Sequence, residues 1–205
     1  MNIVTVPRFI ERIFPTLVWR LPADDKPVYL TFDDGPIPEV TPWVLDELDK
    51  FNVKATFFCV GDNVAKHPKE YRMVIERGHC IGNHTYNHLQ GIKTNSTKYL
   101  ENIEEAGEVI DSKLFRPPHG LMRRKQLRTL VSENKYRIIM WHVLSCDYDR
   151  SLKPSKCLSN VVDNVENGSI IVFHDSLKAE KNMRYALPRV LENLSNRGFG
   201  FRTFD

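Results

Sequence analysis

Nowhere in the 205 residues is there a run of eighteen or more apolar residues, so the sequence offers no segment of the length needed to span a bilayer. The four cysteines, Cys59, Cys80, Cys146 and Cys157, form no CxxC pair. Cys59 and Cys80 fall inside apolar runs that read as strands, where buried, reduced thiols are the usual state. Charge of one sign is also lacking: the net charge is +3, with lysine and arginine spread along the chain, which leaves no nucleic-acid footprint. The one dense basic cluster, Arg123-Arg124-Lys125 with Arg128 close behind, reads as the exposed opening of a helix, near enough to the clusters below to touch an anionic substrate. The first residues are apolar but broken by Pro7, Arg8, Glu11, Arg12 and Pro15, with no small-residue cleavage site, so no signal peptide is read and a cytoplasmic location is expected. There is no linker, low-complexity segment or sequence repeat, and a single domain is expected.

What is present is a globular composition, 41% hydrophobic and 27% charged, in a chain long enough for one well-buried core. Residues 28–32 form a β-branched and aromatic run after Pro27 and end on Asp33-Asp34-Gly35-Pro36, which is turn chemistry. A helix is predicted next, with Thr41 and Pro42 at its cap and first turn and Val44, Leu45, Leu48 and Phe51 at helical spacing. Further strands are predicted at 55–60, 79–82, 114–115, 136–141, 169–173 and 199–203, with helices at 68–77, 96–111, 124–133, 154–166 and 184–196. Strict alternation of strand and helix predicts a parallel sheet with right-handed crossovers. Phe9, Ile10, Ile13 and Phe14 predict an amphipathic helix packed on that body, with its apolar side buried.

Five polar clusters each follow one of these strands: Asp33-Asp34, His84 and His88, Arg116, Asp147, and His174. Chemistry on strand–helix repeats gathers at the carboxyl ends of strands, so five distant segments are expected to meet at one mouth. An open sheet concentrates such clusters at one switch point, and their spread over five strands favours a closed or nearly closed barrel of seven strands. His84 and His88 form an HxxxH spacing, a weak signal alone; Asp34 would complete a His2Asp set with an open position, the pattern of a catalytic metal site. Plainer readings stand beside each cluster: turn formers at Asp33-Asp34, a surface arginine at Arg116, a loop residue at Asp147, and a capping Asp175 beside a partly exposed His174.

Thr31-Phe32-Asp33-Asp34-Gly35, His84-Thr85-Tyr86-Asn87-His88, Arg116-Pro117-Pro118-His119-Gly120, Asp147-Tyr148 and Val172-Phe173-His174 resemble, in order and spacing, the five motifs of the polysaccharide deacetylases. This is the carbohydrate-esterase family, of the family 4 type, with the NodB-homology domain. Ala55-Thr56-Phe57-Phe58 with Gly61, and residues 78–83 before His84, fit the same pattern. The resemblance runs from Pro27 to the C-terminus, which sets a catalytic domain at residues 27–205 and leaves residues 1–26 as an N-terminal extension packed on the barrel.

The resemblance implies a distorted seven-stranded α/β barrel and metal-dependent removal of acetyl groups from sugars. It implies Asp34, His84 and His88 as ligands of one divalent ion, zinc first, with cobalt or nickel also suited. It implies Asp33 as catalytic base held by Arg116, and His174 as general acid charged by Asp147. A backbone N–H of the 116–120 loop is expected to meet the developing oxyanion. His119 stands where the family usually has Tyr, Tyr148 where it usually has Trp, and Leu144 at a position that is often Asp. His119, Tyr148 and Pro118 are expected to contact substrate, and Tyr86, Tyr148 and Trp141 to offer aromatic faces to sugar rings. The expected reaction is N-deacetylation of N-acetylglucosamine units in an oligosaccharide or glycan by a monomer that binds no nucleic acid. An O-acetyl esterase, a silent carbohydrate-binding barrel and an amidohydrolase of small amides are the rivals.

Overall fold

The computed structural model describes residues 4–204. Its elements run α1 (Arg8–Ile13), β1 (Pro27–Asp33), α2 (Thr41–Lys50), β2 (Thr56–Cys59), α3 (Gly61–Lys66), α4 (Pro68–Glu76), β3 (Cys80–Asn83), α5 (Ser96–Gly107), β4 (Leu114–Phe115), a 3-10 turn (Pro118–Gly120), α6 (Arg124–Ser132), β5 (Arg137–Ile138), β6 (Val143–Leu144), α7 (Pro154–Val162), β7 (Ile170–His174), α8 (Glu180–Asn196) and β8 (Gly200–Phe201). The strands lie in the order β5-β4-β3-β2-β1-β7-β6, with β8 beside the start of β1, and every ladder between them is parallel. No helix among these residues is long and apolar enough to cross a membrane.

The order is that of a curled sheet with β1 in its interior, between β2 and β7, and all seven residues of β1 are buried. Both faces of a central parallel strand are covered, which is why its sequence is a continuous apolar run rather than an alternating one. Phe32 stacks on Phe57 of β2 at 5.0 Å and on Phe173 of β7 at 6.2 Å, tying three neighbouring strands into one aromatic layer. Each such fully buried side chain contributes about 1.5–3 kcal/mol.

The predicted alternation fails in one place, and there the chain spans the gap between the two edges of the curled sheet. The single strand expected at 136–141 is cut to β5, and a second short strand, β6, follows at 143–144, beyond the expected range, with no helix between them. β5 pairs with β4 on one edge of the sheet and β6 pairs with β7 on the other. One stretch of chain therefore runs across the opening. Between the two strands, the amides of Met140 and His142 donate to Val18 and Ile170, and the carbonyl of His142 accepts from Val6. Two other expectations change. Gly61 opens helix α3 rather than stopping a strand, and Val40, not Thr41, caps α2.

Residues 4–20 lie against that crossing stretch, with Thr5 bridged to Val143 and Val18 to Ile139. Arg20 fastens them, donating to Glu11 at 2.7 Å and Glu166 at 2.6 Å. Burial of the apolar side of α1 is incomplete. None of its residues is fully buried, and Phe9 and Ile13 are 61% and 62% exposed, because only Ile10 turns toward the barrel core.

Candidate active site

Parallel register places the chemistry. Asp33, the last residue of β1, lies level with His174, the last of β7, and with Phe58 of β2. Asn83 ends β3 level with Cys59 and Phe115, so the next residues, His84 and Arg116, leave neighbouring strands together. Three of the five polar clusters, Asp33-Asp34, His84 with His88, and His174, meet on the walls of one pocket of about 360 Å3, with Pro117, His119, Trp141, Leu144, Tyr148, Val172 and Lys178, while Arg116 and Asp147 are buried behind Asp33 and His174.

Arg116 is the most enclosed of these groups. Its guanidinium donates to Asp33 Oδ1 and Thr31 Oγ1, both at 2.7 Å, and to the carbonyls of Met140 and Ile139 at 2.9 and 3.2 Å. It lies over the Phe58 ring, 4.1 Å from the centroid. Burial pulls its pKa down and the Asp33 charge opposes that pull. A charge buried to zero exposure persists only because every face of the guanidinium is engaged.

His84 Nδ1 lies 2.7 Å from the Arg116 carbonyl oxygen, which leaves Nε2 as the nitrogen facing the carboxylates, 3.9 Å from Asp34 Oδ1 and 4.0 Å from Asp33 Oδ2. His88 Nε2 lies 3.2 Å from Asp34 Oδ1. One donor atom each from Asp34, His84 and His88 fall within 4.8 Å of one another, so this set fits a single divalent ion with room for an exchangeable ligand. Its electrostatics suit the same end. Burial lowers the His84 pKa to about 4, leaving a neutral imidazole, while the surrounding imidazoles hold Asp34 well below the usual carboxylate range against the effect of its burial.

His174 is built the other way. Burial disfavours its charge, but Asp147 bonds to Nδ1 at 2.7 Å and raises its pKa to about 10. Asp147 is itself fully buried, and its backbone carbonyl accepts from Asn182.

Several site loops adopt a backbone that sequence reasoning did not anticipate. Asp34, Thr85, His88, His119 and Cys146 all have positive φ, an uncommon conformation without glycine. Thr85, β-branched, is the least expected; its amide donates to Asn83 Oδ1, and its hydroxyl accepts from Leu89 N–H. Asn102 on α5 accepts from the amides of both Tyr86 and Asn87, so two buried asparagines shape the loop that carries the histidine pair. Asn83 falls in the 78–83 stretch that fits the family pattern, while Asn102 carried no sequence signal, since the amides it accepts from lie on another element. HxxxH is therefore a loop and not a helical spacing.

Asp175 is the second unanticipated residue. It caps nothing: its carboxylate accepts from Gly35 N–H at 3.0 Å and Thr41 Oγ1–H at 2.6 Å, holding the turn that presents Asp34. Burial raises its pKa to about 8. Two expected substrate contacts move. Pro118 is buried and Pro117 takes its place in the wall, while Tyr86 packs into the main core. His119 reaches the pocket, its ring 5.1 Å from that of His88, and stays outside the three-ligand set. Tyr148 lies edge-on to His174 at 5.1 Å, and Trp141 lines the pocket as a half-buried wall.

A curled parallel α/β sheet whose strand ends gather a His2Asp set able to hold a metal ion, an arginine-paired carboxylate and a charged imidazole carries the groups of a hydrolase. Within that class the chain belongs to the polysaccharide deacetylase family, whose sequence model matches residues 20–139. It is 33% identical over 193 residues to a peptidoglycan-N-acetylglucosamine deacetylase of Bacillus cereus, covering 91% of this chain and 90% of the relative. It is 30% identical over 204 residues to a chitooligosaccharide deacetylase of Azorhizobium caulinodans, covering 89% and 95%. The crystal structure of the Bc1960 peptidoglycan N-acetylglucosamine deacetylase, in complex with 4-naphthalen-1-yl-N-oxidanyl-benzamide, superposes with a TM-score of 0.89 at 31% identity, over 97% of this chain and 95% of that one.

Proposed function

We propose that the chain is a metal-dependent N-deacetylase of N-acetylglucosamine units in an oligosaccharide or glycan, releasing acetate and a free amine. The observation that carries this is a paired arrangement. Asp33 and His174 stand level on adjacent strands at the His2Asp set, and each is held by an opposite charge at 2.7 Å, Arg116 and Asp147 respectively. The relatives named above are deacetylases of peptidoglycan N-acetylglucosamine and of chitooligosaccharide, which supports an acetylated-sugar substrate here.

Asp34, His84 and His88 would hold the ion, zinc first and cobalt or nickel next; when bound, it supplies Lewis acidity toward the acetyl carbonyl and an attacking water. Asp33 takes the proton of that water at Oδ2, since its Oδ1 is committed to Arg116. A backbone N–H of the 116–120 loop meets the charge growing on the carbonyl oxygen. His174, engaged at Nδ1 by Asp147, presents Nε2 to the pocket. From there it protonates the departing nitrogen as the C–N bond breaks. An amine leaves poorly unless protonated, and an imidazole charged up to about pH 10 meets that need.

The test is acetate release from N-acetylglucosamine oligomers of one to six units, with and without chelator, then with zinc or cobalt restored. Chelator-sensitive release recovered by metal is the expected result. No release from protein carrying stoichiometric metal would overturn the reading, and release from acetylated xylan instead would make the chain an O-acetyl esterase.

A further inference from the structure

Pro117, His119, Trp141, Leu144 and Tyr148 line the catalytic pocket and also line a second cavity, of about 540 Å3, that opens from its side. One wall of this groove is the N-terminal segment, with Ile10 and Phe14 four residues apart and Leu17 beyond them. The facing wall is the approach to α6 and its first turn, with Leu121, Met122 and Leu127. Val6, Trp19 and Met140 form a buried apolar floor. Phe14 and Leu121 are left 39% and 51% exposed, so the groove is open to an occupant. The proposed chemistry does not account for it: none of the metal-set residues, nor Asp33, Arg116, Asp147 or His174, lines it. Arg123 and Arg124 edge the groove; apart from them, Gly120 and the wall shared with the pocket, its lining is apolar surface that an all-polar glycan does not use.

We propose that this groove binds an apolar aglycone of the substrate, an alkyl or aryl group attached to the acetamidosugar. It lies between Ile10, Phe14 and Leu17 on one side and Leu121, Met122 and Leu127 on the other while the acetyl group occupies the catalytic pocket. The inference rests on the deacetylase reading and narrows the substrate to an amphipathic glycoside. Continuity selects the occupant. The two cavities share a wall of five residues, so a group joined to the bound sugar enters the groove with it, whereas an unconnected ligand would compete with the sugar for that wall. The volume is that of a small-molecule site. Of α1 only Ile10 reaches the groove; Phe9 and Ile13 lie outside it.

Two measurements test it, both below the micelle concentration of the octyl compounds. The first compares kcat/KM for octyl and methyl N-acetyl-β-D-glucosaminide. Burying two or three of the added methylenes raises kcat/KM roughly tenfold or more for the octyl compound. Phe14→Asp and Leu121→Asp, one on each wall and both at exposed positions, are expected to bring the octyl-to-methyl ratio close to one. The second follows tryptophan fluorescence, since Trp19 and Trp141 line the groove, on titration with octyl or methyl β-D-glucoside, neither of which carries an acetyl group. A saturable change with the octyl compound alone, lost in both variants, is expected. That change without acetate release from either glucosaminide removes the deacetylase reading and leaves the groove. Equal kcat/KM with no fluorescence change, or an octyl preference undiminished in both variants, overturns the proposal.

Discussion

Both carboxylate oxygens of Asp147 engage His174: Oδ1 lies 2.7 Å from the imidazole Nδ1, and Oδ2 accepts the His174 backbone N–H at 2.7 Å. One buried side chain thus fixes the tautomer, the ring orientation and the charge of the group at the end of β7. The double attachment also sets Nε2 as the only ring nitrogen that faces substrate.

The pH dependence follows from that pair. The His174 pKa is raised to about 10, so in kcat the loss of the protonated acid falls near pH 10 rather than near the ordinary histidine value of about 6.5. Asp147→Asn is expected to bring that limb down toward pH 6.5 and to lower kcat at pH 8 by roughly one to two orders of magnitude. For stability, a raised folded pKa contributes fully below about pH 6.5 and is lost as pH rises through about 10. The stability gap between the parent and His174→Gln, measured by denaturant unfolding, should therefore close across that window.

Arg116 and Asp33 should behave as a unit. Arg116→Met leaves a buried carboxylate uncompensated and is expected to cost about 3–5 kcal/mol. Adding Asp33→Asn removes the stranded charge and should recover a large part of that loss. Additive unfolding energies in this cycle would contradict the pairing.

Chemistry and metal binding should separate by mutation. Asp33→Asn and His174→Ala are expected to lower turnover by several orders of magnitude while metal content stays stoichiometric. His84→Ala and His88→Ala should lose the metal itself, as elemental analysis after dialysis would show. A His174→Ala variant with parental turnover would remove its role as acid.

Gly35 is required by close approach. A Cβ there would sit 1.9 Å from Asp175 Oδ2 and 2.4 Å from its Cγ. Gly35→Ala must push the Asp34 turn away from Asp175, and a fall in metal affinity of at least about tenfold is expected, in line with losses from disturbed support of metal ligands. Isothermal titration with zinc measures it.

Acid should weaken the fold before it reaches the carboxylate range. Burial lowers the pKa values of His79, His84 and His142 to about 4. Each takes up its proton only on unfolding between about pH 6.5 and 4, so stability falls as pH drops through that interval. A single site contributes up to roughly 3 kcal/mol at 1.36 kcal/mol per pH unit. His142→Asn should flatten the fall measurably in unfolding curves of the metal-free protein.

Much of this was legible in the chain. Continuous apolar, β-branched runs located the strands around 28–32 and 169–173, and 3.6-residue periodicity the helices around 41–51 and 96–111, because local propensity and burial agree there. The five polar clusters could be read because each follows a buried strand, and parallel register then brings strand ends together without further instruction. The division of residues 137–144 into β5 and β6 could not be read. The two ends of that stretch pair with opposite edges of the sheet, and its middle bonds to residues 6 and 18, which are remote in sequence.

The sequence by itself determined the strand–helix alternation and the inventory of groups at the mouth, since both depend on residue type and short-range spacing. Only the tertiary structure decided that Asn83 and Asn102 shape the histidine loop, that Asp175 holds the Asp34 turn, and that residues 4–20 wall an apolar groove beside the pocket. Except for the Asn83 bond to Thr85, two residues on, those roles arise from hydrogen bonds and packing between elements far apart in the chain. A buried polar side chain carries no sign in the sequence of the partner that satisfies it.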